Sequence, residues 1–136
     1  MIWVVCVDDR GGTAFHGRRQ SMDRLLRADL LAMAGEKKLW MDEAARRQFT
    51  EDCPNLEAAP DFPQRAGPGE FCFGEAHPVT PWLDRVEAMV IYRWNRAYPA
   101  DCYLDFDPAA AGWTLTERRD FPGHSHPNLT KEVYIR

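Results

Sequence analysis

The sequence predicts an α/β domain built around a mixed β-sheet, and three observations carry that reading. Ile2-Trp3-Val4-Val5-Cys6-Val7 is a continuous apolar run rich in β-branched residues, the pattern of a strand buried on both faces. Strand-like and helix-like segments alternate as far as Glu51. Beyond Phe71 only strand-like segments follow, and that order suits a sheet part parallel and part antiparallel.

Each element follows from local chemistry. Asp8-Asp9-Arg10-Gly11-Gly12 ends the first strand with turn residues. Thr13 to Gln20 is polar and irregular. Ser21 is placed to cap a helix whose stripe is Met22, Leu26, Leu30 and Met33, with Leu25 beside it, Asp23, Arg24, Arg27 and Asp29 mostly outside, and Gly35 as its stop. Lys38-Leu39-Trp40-Met41 reads as a short strand, and Asp42 as the cap of a second helix through about Glu51. Pro54 to Gly69 holds four prolines and no clear period, so a loop is expected. Phe71-Cys72-Phe73 is a buried strand, and Pro78 and Pro81 argue against a long helix after it. Val86 to Trp94 is a strand, Tyr98 to Asp107 a turn and strand, and Trp113 to Thr116 and Glu132 to Arg136 are closing strands.

Composition limits the function classes. A chain of 136 residues, 45% apolar and 28% charged, is expected to form one globular domain over 1–136. Its net charge of −4 gives no electrostatic reason to expect nucleic acid or an anionic membrane. No apolar run suits a membrane helix, and the opening residues meet Asp8-Asp9 too soon for a signal peptide. Cys6, Cys53, Cys72 and Cys102 are scattered without a C-x-x-C pair, so reduced thiols and a cytoplasmic location are expected.

The order of strand, Asp-x-x-Gly-Gly loop, helix, strand ending in Met, then helix resembles dihydrofolate reductase. The later part resembles it more specifically. Met89-Val90-Ile91-Tyr92 matches that family's Leu-Tyr-Leu-Thr-type strand, Asp101 an aspartate after the next turn, and Trp113 a tryptophan after an acidic loop. Glu132-Val133-Tyr134-Ile135-Arg136 is similar to the family's terminal Phe-Glu-hydrophobic-x-Arg strand. The resemblance implies a dihydrofolate reductase-like three-layer sandwich with a central mixed β-sheet and a reduced number of helices.

It also implies where a cofactor would bind, and the residues there depart from the pattern. The family receives the cofactor's phosphates on a Gly-Arg-x-Thr turn after the Met, at a helix N-terminus. This chain has Met41-Asp42-Glu43-Ala44-Ala45, with Arg46 and Arg47 a turn later. The family's second turn is Gly-Gly, and here it is Gly74-Glu75. Carboxylates at both turns oppose a phosphate by about 1 kcal/mol or more each, so no cofactor is expected. Gly74 remains the one cofactor-side position retained.

On the substrate side the family uses a helix carboxylate as proton donor, and Asp23 is the candidate here. Its alternative role is a first-turn acid favoured by the helix dipole. Asp29 reads as a solvated helix residue, and Trp3 and Trp94 as core. Arg18-Arg19 ahead of a helix start, beside the Gly11-Gly12 turn, could hold a phosphate or carboxylate, or form a solvated basic loop. Tyr92 and Asp101 complete the candidate ligand-binding set.

The chain is also similar to short proteins that often carry a ribonuclease Z label, whose signature is His-x-His-x-Asp-His. His124-Ser125-His126-Pro127-Asn128 lacks its aspartate and third histidine, and His16 and His77 are isolated, so no metal site is expected. No nucleophile-elbow signal marks a Ser-His-Asp hydrolase. The expected function is therefore a divergent protein of this fold that binds a small or anionic ligand or a partner. The alternative is an active NADPH-dependent reductase of dihydrofolate or a related pterin, and a metal-dependent ribonuclease or hydrolase ranks third.

Overall fold

The computed structural model describes residues 1–136. In chain order the strands and helices are β1 (Ile2–Val7), β2 (Gly12–Phe15), β3 (Arg18–Arg19), α1 (Arg24–Ala34), β4 (Leu39–Met41), α2 (Glu43–Arg46), β5 (Leu56–Ala58), α3 (Phe62–Arg65), β6 (Phe71–Phe73), β7 (Ala88–Arg93), β8 (Cys102–Tyr103), β9 (Thr114–Phe121) and β10 (Leu129–Ile135), with a 3-10 turn at Thr80–Arg85. The main sheet has the order β5-β4-β6-β1-β7-β10-β9. Its first five strands are parallel, and β10 and β9 close it in antiparallel sense. A second, small antiparallel sheet has the order β3-β2-β8.

The alternation along β1 divides the core. Val4 packs with Leu26, Leu30, Leu39, Met41, Phe73 and Tyr92 under α1. Trp3, Val5 and Val7 pack on the other face with Phe62, Val79, Met89 and Ile91. A central parallel strand with both faces covered gives the three layers that the continuous apolar run of β1 predicts. All four cysteines are free, and no helix is long and apolar enough to cross a membrane.

Several expectations need correction. The cap of α1 is Asp23, whose carboxylate accepts from the Leu25 and Leu26 amides at 2.9 and 3.3 Å, and not Ser21. Starting later, the helix buries Leu26, Arg27, Leu30 and Ala34, while Met22 lies before it and is exposed. Arg27 is drawn inward by Glu51 at 3.2 Å. Asp42 does cap α2, accepting from the Ala45 amide at 2.8 Å. That helix is a single turn, because the Gln48 and Phe49 amides bond to the carbonyls three residues back and Phe49 turns into the core. Thr13–Gln20 is a hairpin, its turn made by His16 and Gly17 with φ of 52° and 72°. The proline-rich stretch holds β5 and α3, and β9 runs through Glu117-Arg118-Arg119-Asp120 to Phe121.

Candidate functional site

The β2–β3 hairpin, the Asp42 turn at the start of α2 and the end of β6 enclose a recess of about 380 Å³. Arg18, Arg19, Asp42, Arg47 and Glu75 line it. Arg19 Nε donates to both Glu75 oxygens, at 2.9 and 3.3 Å, and its Nη2 donates to the Ala44 carbonyl. Gln48 Nε2 donates to Glu75 at 3.0 Å. Burial pushes the Glu75 carboxyl up despite Arg19, whose charge works the other way. Burial also works to raise Asp42, but the Ala45 amide and His77, 2.8 Å away, outweigh it and hold Asp42 below its ordinary range. Arg18 and Arg47 are exposed and make no ion pair.

The structure brings Arg18 and Arg19 together at this recess and places the other candidates elsewhere. Gly74 precedes Glu75, but its missing Cβ is taken up by Trp3, since an added methyl would lie 2.3 Å from Trp3 Cζ2. Gly11 lines a second recess with Val7, Ile91 and Phe106, beyond β1. Gly12 donates to Asp8 Oδ1 at 2.7 Å and leaves no room for a Cβ against Ala100. Asp101 accepts from the His16 amide and so braces the hairpin. Tyr92 is fully buried, and its hydroxyl donates to Asp29 Oδ2 at 2.5 Å. Asp29 is therefore not a solvated helix residue: it also meets Lys131 at 3.0 Å and Arg119.

Asp23 belongs to a separate buried cluster that the sequence does not announce. Its carboxylate accepts from the amides of Leu25, Leu26, His124 and Ser125. His126 Nδ1 lies 2.9 Å from Asp23 Oδ2. Burial opposes the charge, yet these bonds hold the Asp23 carboxyl far below the usual range. His126 Nε2 lies 3.0 Å from Ser21 Oγ and 3.1 Å from the Tyr98 hydroxyl, and Trp94 stacks on the ring. The histidine pair does not converge: His124 turns to Arg24, and no group of three or more His, Cys, Asp or Glu is arranged to hold a metal ion. The motif of residues 124–126 was the available signal, but only its distance from Asp23 in space gives it meaning.

No protein-family model matches the chain, and no curated protein sequence does. Solved structures do. A dihydrofolate reductase from Enterococcus faecalis, complexed with NADP(H) and RAB-propyl, has a TM-score of 0.68 over 99% of this chain and 95% of that one, at 10% identity. The chain therefore has a dihydrofolate reductase-like fold.

Proposed function

We propose that this protein binds a small anionic ligand on a dihydrofolate reductase-like scaffold and does not perform that fold's usual NADPH-dependent reduction. One observation carries the reading. Within the recess both acids are already committed, Glu75 to Arg19 and Gln48, Asp42 to the α2 amide and His77, whereas the guanidiniums of Arg18 and Arg47 are unpaired. Paired guanidiniums facing one space suit a phosphate or carboxylate.

The same residues do not fit the nicotinamide cofactor that the Enterococcus protein binds. A phosphate at the start of α2 would compete with the Asp42 carboxylate for the Ala45 amide. At the second turn, the space a glycine would offer is filled by Trp3, and the following side chain is a buried carboxylate. The reductase alternative is weaker for a further reason. Asp23, its proton donor, is held ionised by backbone amides and covered by the loop between β9 and β10. Four free thiols suit a reducing compartment such as the cytoplasm.

Calorimetric titration with inorganic pyrophosphate tests this reading. Saturable binding is expected, weakening with salt, and reduced about tenfold or more in the Arg18→Ala/Arg47→Ala variant. Both side chains are exposed, so the variant's melting temperature should match the parent's. No saturable heat at millimolar ligand, or equal binding by the variant, would refute it.

A further inference from the structure

We propose that Ser21, His126 and Asp23 form a nucleophile, base and orienting group that hydrolyse small carboxylic esters. This goes beyond anion binding and is independent of it, because none of the three lines the charged recess.

The order of contacts is what acyl transfer requires. Asp23 is an ionised carboxylate and can only accept, so His126 Nδ1 carries the proton between them. His126 Nε2 is then an acceptor, and the Ser21 hydroxyl donates to it across 3.0 Å. The ring is fixed from three directions: Asp23 at Nδ1, Trp94 stacked 4.8 Å away at 29°, and the Tyr98 hydroxyl beside Nε2. The approach of the β9–β10 loop is also exact enough to need a glycine, since a Cβ at Gly123 would lie 2.6 Å from Asp23 Oδ2.

Access is on the serine side. His126 and Asp23 are buried, but Ser21 is partly exposed and lines a small recess with Thr13, Gln20 and Trp94. That space is about 10 Å³, the size of one water, so it can seat the hydrolytic water while the acyl group lies outside it, on the exposed side of Ser21.

The reaction needs only ester and water. Ser21 Oγ attacks the carbonyl carbon and its proton passes to His126 Nε2. Tyr98 is then released from that nitrogen and donates to the oxyanion. The C–O bond to the alcohol breaks, and His126 returns the proton to the departing oxygen. Water, deprotonated by the same nitrogen, cleaves the acyl-serine to a carboxylic acid and restores the hydroxyl.

p-Nitrophenyl acetate is the probe. The full chain should release a burst of nitrophenol with one acetyl group on Ser21, located by peptide mass spectrometry. Ser21→Ala should lose about 100-fold or more of the rate with its thermal melt unchanged. Asp23→Asn keeps a capping side chain and should lower kcat with KM unchanged, which a merely structural role would not produce. A folded parent without turnover, equal rates in Ser21→Ala, or acetyl groups only on lysines or the amino terminus would overturn the proposal.

Discussion

Gly74→Ala separates two meanings of one glycine: a gap left for a cofactor, or a gap already filled by protein. An ideal Cβ at Gly74 lies 2.3 Å from Trp3 Cζ2, 2.8 Å from Cε2 and 3.2 Å from Cη2. Carbon atoms pack at about 3.5–4.0 Å, so the ring or the backbone must move by more than ~1 Å. The ring has nowhere to go. Trp3 is fully buried and stacks on Phe62, itself buried. Overpacking of this kind costs about 1–3 kcal/mol, and the rigidity of both partners puts Gly74→Ala near 3. For a chain of this size that lowers the melting temperature by roughly 10 °C. Urea unfolding followed by far-UV circular dichroism gives the free energy without relying on the mutated region's fluorescence. Trp3→Leu alone should cost roughly 2–4 kcal/mol. In the double variant the alanine meets the space vacated by the ring, so the two costs should fall short of their sum by 1 kcal/mol or more. A Gly74→Ala change under about 0.5 kcal/mol, or strict additivity, would refute the packing argument and reopen the space to a ligand.

Other consequences follow from buried polar groups. Tyr92→Phe removes a hydroxyl that donates to the Asp29 carboxylate and should cost about 1.5–3 kcal/mol; unchanged urea stability would show that Lys131 and Arg119 suffice. Acid should destabilise the fold through Asp23, Asp29 and Asp42, all held below their ordinary range. Their contribution is fully present above the unfolded value of about 3.9 and is lost as pH falls below it. Glu75 has the opposite sign, because burial raises its carboxyl: its folded form binds a proton more tightly than the unfolded form, so its contribution declines as pH rises through 4 toward neutrality. The melting temperature of Glu75→Gln minus that of the parent should therefore rise as pH increases above the unfolded value of about 4.3, and a difference that falls with rising pH would contradict the assignment.

The sheet was legible wherever burial on both faces leaves a continuous apolar run, as in Ile2–Val7 and Phe71–Phe73. It was illegible where a strand is exposed or very short. Thr114–Phe121 is exposed along nearly its whole length, so its charges hide its period, and Leu56–Ala58 offers only three residues among prolines. Arg18 and Arg19 were visible because a basic pair before a helix has local meaning. Arg47 gained its place only through the shortness of α2, which turns the chain beside the recess. The surroundings of Asp29 and Asp23 were illegible for the same reason: what decides them is Lys131 and Tyr92 for one and His126 for the other, all far away in sequence.

On this reductase-like fold we propose a small-anion site where the Enterococcus protein binds NADP(H). The most direct measurement is a fluorescence titration with NADPH, run beside a dihydrofolate turnover assay and a pyrophosphate titration of the same preparation. Saturable pyrophosphate binding, with neither NADPH saturation nor turnover at millimolar cofactor, is the predicted result. Saturable micromolar NADPH binding with turnover abolished by Asp23→Asn would contradict it.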